Sequence, residues 1–149
     1  MKDVGLLFFA FIGGISLAIQ GGLNARLGIL LRNPLWASVT AFAVSTVVTL
    51  FIAVVIFRSY PTSNQIKEIP TYLWFTGGIF SVLGLGLYYF TIPKIGMSAT
   101  ISLGLCGQLI FAIIAGHFGW LGLPIEPLTL KKVLGAVAMI SGIFLINMK

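Results

Sequence analysis

The sequence predicts an all-α membrane protein with five transmembrane helices, on three observations. Hydrophobic residues fill 58% of the 149 positions and charged residues 8%, where soluble domains carry roughly 45–50% and 25%; the mean hydropathy is +1.09. Five apolar stretches, at about 4–24, 35–57, 71–92, 96–118 and 129–148, match the length of about 20 residues that crosses roughly 30 Å of hydrocarbon. Helix-terminating and aromatic residues fall at the edges of these stretches.

The first span opens after Met1-Lys2-Asp3, runs through Val4, Leu6, Leu7, Phe8, Phe9, Phe11 and Ile12, and closes in "IQGGLNARLG" (19–28). A basic start before an apolar run imitates a secretory signal, but no small-x-small cleavage pattern follows and further spans do, so a retained helix is expected. Asn33-Pro34 supplies a cap and a first-turn proline for the second span, Pro70 opens the third, Pro93 is expected to close it, and Thr129 caps the fifth. Trp36, Trp74 and Trp120, with Tyr60, Tyr72, Tyr88 and Tyr89, fall at predicted ends, where amphipathic rings favour the membrane–water interface. The longer connections, "RSYPTSNQIKEIP" (58–70) and "GWLGLPIEPL" (119–128), are too short for a soluble domain, so residues 1–149 read as a single transmembrane domain. The second connection reads equally as an interfacial segment or a simple loop. "ISLAIQGGL" (15–23) and "ISLGLCGQL" (101–109) agree at five of nine positions, a match that a Leu-, Ile- and Gly-rich chain produces cheaply.

Five spans put the termini on opposite sides of the bilayer. Lys2, Arg58, Lys67, Lys131 and Lys132 then lie on the amino-terminal side and Arg26, Arg32, Lys94 and Lys149 on the other, five against four. Orientation follows an excess of Lys and Arg on one face, and this chain has too little excess to choose, so insertion both ways up is expected. The net charge of +6 comes from scattered residues, which build no basic face for nucleic acid. Cys106 is the sole cysteine and reads as a small apolar residue.

Small or polar residues at spacings of three and four mark one face of every span: Gly13, Ser16, Gln20 and Asn24 in the first; Ser38, Ala41, Ser45 and Thr49 in the second; Gly77, Ser81, Gly84 and Tyr88 in the third. The fourth carries Gly96, Thr100, Gly104, Gln108, Phe111 and Ala115, with Gly107 beside them, and the fifth Gly135, Ala138 and Gly142. Such stripes are expected to pack helices, because small side chains let backbones approach. Carboxamides demand more, since an unpaired amide in hydrocarbon costs several kcal/mol. Gln20 and Gln108 therefore face either a polar lumen or a partner helix, while Asn24 and Arg26 are interfacial groups or substrate contacts.

The only acids, Asp3, Glu68 and Glu126, lie outside the spans, which argues against an exporter that trades protons for organic cations at an intramembrane carboxylate. His117, near the end of the fourth span, is the one histidine and reads as a structural group or a proton relay. No zinc-protease motif, phosphate-binding loop or nucleophile elbow occurs, so no enzyme, cofactor or metal site is expected.

Gln20, Asn24, Ala25, Arg26, Leu27 and Gly28, then "NPLWASVTAF", Gly107-Gln108, His117-Phe118-Gly119 and the closing "LTLKKVLGAVAMISGIFLI" occur in that order. Across nearly the whole chain the sequence resembles the half-length, five-span YdcZ-like group of the drug/metabolite transporter superfamily. The resemblance implies a multi-pass transporter of the prokaryotic cytoplasmic (inner) membrane, usually described as an exporter. It also implies that five spans are half of a ten-helix fold made of two inverted repeats, completed by antiparallel dimerisation with a second copy or a paralogue.

On that basis the expected function is export of a neutral, zwitterionic or amphiphilic small molecule by alternating access. Gln20, Asn24 and Gln108 would supply uncharged hydrogen bonds, and Tyr88, Tyr89 and Phe111 an apolar wall. A dual-topology passive ion channel and a non-transporting partner subunit of a heteromeric transporter fit the same composition.

Overall fold

The computed structural model describes residues 3–58, 60–122 and 124–148. Lys2 and Lys149, counted above for orientation, lie outside the described residues, as does Leu123 of the 119–128 connection. Every regular element among the described residues is helical: α1 (Asp3–Leu30), α2 (Pro34–Phe51) continued by a π-helical stretch (Ile52–Phe57), α3 (Ser63–Glu68), α4 (Leu73–Ile95), α5 (Met97–Phe118) and α6 (Leu130–Asn147). Five of these segments have the length and apolar composition to cross a membrane.

Two boundaries differ from the sequence reading. The first helix passes straight through Asn24 and Arg26 and ends at Leu30, because side-chain polarity does not interrupt backbone hydrogen bonding. It stops where Arg32 turns into the left-handed region at φ 54°, with Arg32 N–H donating to the Ile29 carbonyl (3.0 Å) and Asn33 N–H to the Gly28 carbonyl (2.9 Å), the paired bonds of a Schellman stop. Pro93 does not close the third span; it sits inside α4, which continues to Ile95. Proline removes the N–H that would reach the Tyr89 carbonyl four residues back and crowds that carbonyl, yet the helix runs on for two residues past it. The break comes at Gly96, with φ 90°, a backbone setting open to glycine and strained for other residues.

Other signals behave as read. Asn33 Oδ1 accepts from Leu35 N–H at 2.9 Å ahead of Pro34, and Thr129 Oγ1 accepts from Lys132 N–H at 3.3 Å at the start of α6. The 58–70 connection contains α3, fixed by a reciprocal capping box: Thr62 N–H donates to Gln65 Oε1 (2.8 Å) and Gln65 N–H to Thr62 Oγ1 (3.4 Å).

The chain forms two compact units, Met1–Lys94 and Ile95–Lys149. In the first, α1 and α2 pack as a tight hairpin in which Ala25, Gly28, Ala37 and Ser38 are buried. A methyl on Gly28 would lie 3.6 Å from Ala37 Cβ, an ordinary contact, but 3.2 Å from Pro34 Cα, so the hairpin would have to give by a few tenths of an ångström. Helix α4 joins through Gly86, facing Leu35 and Ser38, and through Ile92, whose Cδ1 lies 3.5 Å from a methyl placed on Gly21. In the second unit, Asn147 of α6 donates from Nδ2 to Ser102 Oγ of α5 at 3.0 Å and to the Ile143 carbonyl at 2.8 Å. The aromatic rings of Phe118 and Trp120 stack at 5.8 Å.

The interior is small-residue packing and the exterior is greasy. Ala25, Ala37, Tyr89, Ala115 and Ile143 are the buried apolar residues among those described, whereas most Leu, Phe and Trp side chains point outward, as a bilayer solvent requires.

Candidate polar site on helices α1 and α4

Gln20 and Asn24 are four residues apart on α1, so they lie one above the other on a single face. The opposing group is Tyr89 of α4. Its phenolic oxygen accepts from Gln20 Nε2 at 3.0 Å and from Asn24 Nδ2 at 3.3 Å, and the residue is 1% exposed. A phenol has two lone pairs and one proton, so with both lone pairs engaged its remaining capacity is as a donor. Gln20 and Asn24 are half-buried, and each carboxamide carries both acceptor and donor positions. The cluster bears no formal charge and sits among apolar residues.

Tyr89 is therefore turned inward, unlike the other aromatic residues at the predicted span ends. Its burial contrasts with Trp36, Trp74, Trp120, Tyr60 and Tyr72, all exposed, while Tyr88 is half-buried. One residue shifts a helix position by about 100°, and that step separates the buried tyrosine from its neighbour. The small residue one turn earlier, Gly86, is the signal that marks the buried face.

Arg26 is exposed and lies two residues from Asn24, about 200° around α1, so the structure does not bring it to the carboxamides. Gln108 and Phe111 lie on α5 in the second unit; Phe111 is exposed, with its ring 6.4 Å from Trp120. His117 accepts at Nδ1 from Leu128 N–H at 3.3 Å and meets the Phe118 ring edge-on at 5.0 Å, which ties the 119–128 connection back to α5. Glu126 adds two further ties: its N–H donates to the Gly116 carbonyl at 2.8 Å, and its Oε2 pairs with Lys132 Nζ at 2.9 Å. The Lys132 hydrogen bond, and then its charge, hold the Glu126 carboxyl below the usual carboxylate range.

The expected packing residues divide in two. A methyl at Gly13, Gly77, Gly84, Gly107, Gly135 or Gly142 would meet no atom within 4 Å, so the close seams inside the units use Gly21, Gly28 and Gly86 instead. Ser16 and Ser81 donate to the Ile12 and Gly77 carbonyls of their own helices, a local pairing that needs no neighbour. Gly104 is half-buried on α5. Sequence reasoning passed over Tyr89 as the acceptor, Asn147 with Ser102, and the Glu126–Lys132 pair.

The family described as "Putative inner membrane exporter, YdcZ" matches residues 5–145. The chain belongs to the YdcZ family. Comparison with curated proteins and with solved structures returns no match. Membership and the five spans together make this YdcZ-family chain a multi-pass inner-membrane protein of an exporter class, fitting the half-length form, and the family is not one of enzymes.

Proposed function

We propose that this YdcZ-family chain exports a neutral, zwitterionic or amphiphilic small molecule by alternating access, as one half of an inverted pair, with the Gln20–Asn24–Tyr89 cluster as its uncharged hydrogen-bonding contact. The observation that carries this reading is the convergence of two carboxamides on one buried phenol. Polar groups inside spans characteristically mark bundle interiors and substrate paths. A site without fixed charge favours ligands that exchange hydrogen bonds rather than ion pairs.

Pairing is supported by the near-even Lys and Arg count, five against four, and by Gly13, Gly77, Gly84, Gly107, Gly135 and Gly142, whose faces are open within their own units. Inverted repeats around a midplane site are the architecture that rocking transporters use. Tyr88, Gln108 and Phe111 are further candidate contacts, and Arg26 a charged one.

The test is counterflow in proteoliposomes with a panel of labelled neutral and zwitterionic solutes. Saturable uptake with trans-stimulation is expected, reduced about tenfold or more in Gln20→Ala and Tyr89→Phe at equal incorporation, since one lost hydrogen bond of about 1.4 kcal/mol corresponds to that factor. Unchanged transport in Gln108→Ala removes Gln108 from the site. Flux that rises linearly with ion concentration establishes the passive channel instead. Tags at both termini, read from each face, are expected to show both orientations; a single orientation overturns the inverted pair.

A further inference from the structure

Helices α5 and α6 leave a cleft of about 380 Å³ on one side of their contact. Leu109, Ala112 and Ile113 form one wall and Gly135, Ala136 and Met139 the other, with Lys132 and Glu126 also lining it. On α6 the sequence Lys132, Gly135, Ala136, Met139 follows one helical face, so Lys132 sits at one end and Met139 about 10 Å further along at 1.5 Å per residue. The cleft exists because Ala112, Gly135 and Ala136 are small; a methyl at Gly135 would meet nothing within 4 Å.

The charged end is an exposed ion pair anchored through the Glu126 backbone. Glu126 is held to the end of α5 by its N–H on the Gly116 carbonyl at 2.8 Å, and Lys132 Nζ stands 2.9 Å from Glu126 Oε2. Lys131 adjoins, and the start of α6 adds its own partial positive charge. One fixed anion beside cations complements a zwitterion. Glu126 also repels any second negative charge and prefers a partner that can donate N–H bonds, which a quaternary ammonium cannot.

We propose that this cleft holds one membrane phospholipid whose head carries a phosphate and a primary ammonium, with an acyl chain along Leu109, Ala112 and Gly135, phosphate on Lys132 and ammonium on Glu126. The occupant is a lipid because the apolar cleft runs from a charged boundary along a span of a bilayer-embedded chain. Basic pockets between membrane helices take phospholipid heads by the same physics.

The full chain, purified and transferred to micelles doped with equal amounts of phosphatidylethanolamine, phosphatidylcholine and phosphatidylglycerol, is weighed by native mass spectrometry. One retained phosphatidylethanolamine per chain is expected, in several-fold excess over the other two. Gly135→Leu and, as a second filling variant, Ala112→Leu are expected to lower retention about tenfold, a change of about 1.4 kcal/mol, with helical content by circular dichroism unchanged in at least one. Glu126→Gln is expected to bring phosphatidylethanolamine and phosphatidylcholine to near parity. Equal retention of all three lipids, preference for phosphatidylglycerol, or retention untouched by both filling variants overturns the proposal. A filling variant that changes the oligomeric state while lipid retention persists assigns the cleft to a second copy and likewise overturns it.

Discussion

The Tyr89 hydroxyl on α4 receives both α1 carboxamides, Gln20 at 3.0 Å and Asn24 at 3.3 Å, so one buried phenol fastens the first helix to the third span through two turns of α1. Tyr89→Phe removes that acceptor while preserving the ring. Loss of a buried polar partner costs about 1–3 kcal/mol, moderated in membranes where interhelical bonds average about 0.6 kcal/mol. A lower thermal midpoint in detergent is expected, and a double-mutant cycle with Gln20→Ala should show non-additivity, because each change breaks the same bond.

Arg32 ends α1 at φ 54°, a conformation that costs a residue with a Cβ roughly 1–2 kcal/mol. Arg32→Gly is expected to raise stability by about 1 kcal/mol in thermal unfolding, and Arg32→Val to lower it.

Glycines with and without neighbours should separate cleanly. Gly28→Ala pushes a methyl to 3.2 Å from Pro34 Cα and is expected to cost about 1–3 kcal/mol, as overpacking does. Gly13→Ala and Gly142→Ala meet nothing within 4 Å and should leave a single chain as stable or slightly more so. Loss of cross-linked dimer in the latter pair would place those faces between copies.

Acid should loosen the 119–128 connection. Lys132 lowers the Glu126 carboxyl from its ordinary 4.5, so the tie contributes in full above that pH and is lost as pH falls through the lower folded value. Limited proteolysis in 119–128 is expected to accelerate on acidification below about pH 4.5, and Lys132→Gln should show fast cleavage at neutral pH with the dependence flattened.

In the second unit, Asn147 joins α6 to Ser102 of α5 at 3.0 Å. Asn147→Ala is expected to lower stability by about 0.5–1.5 kcal/mol, read as a shift in thermal midpoint.

The five spans were legible because apolar length and caps such as Asn33-Pro34 and Thr129 are local properties of the chain. The stop at Arg32 was not, since a left-handed arginine carries no compositional mark, and hydropathy falls at Asn24 well before the backbone turns. The capping box at Thr62 and Gln65 was present in the letters of "TSNQ" and needed only the three-residue spacing to be noticed. Gln20 and Asn24 stood out as amides in an apolar run, but their acceptor did not: Tyr88 and Tyr89 are adjacent letters, and only the rotation of α4 against the α1–α2 hairpin, set by contacts at Gly21 of α1 and at Gly86 against α2, decides between them. The Glu126–Lys132 pair joins a loop to a helix start across six positions, a distance fixed by the path of the connection rather than by any period.

The buried apolar set is dominated by alanine, while leucine and phenylalanine crowd the outside. Recoding this chain to dissolve in water is therefore a task of repainting: outward side chains would be exchanged for hydrophilic ones in bulk, with Ala25, Ala37 and Ala115 left as they are, because the helices recognise each other through what is missing between them.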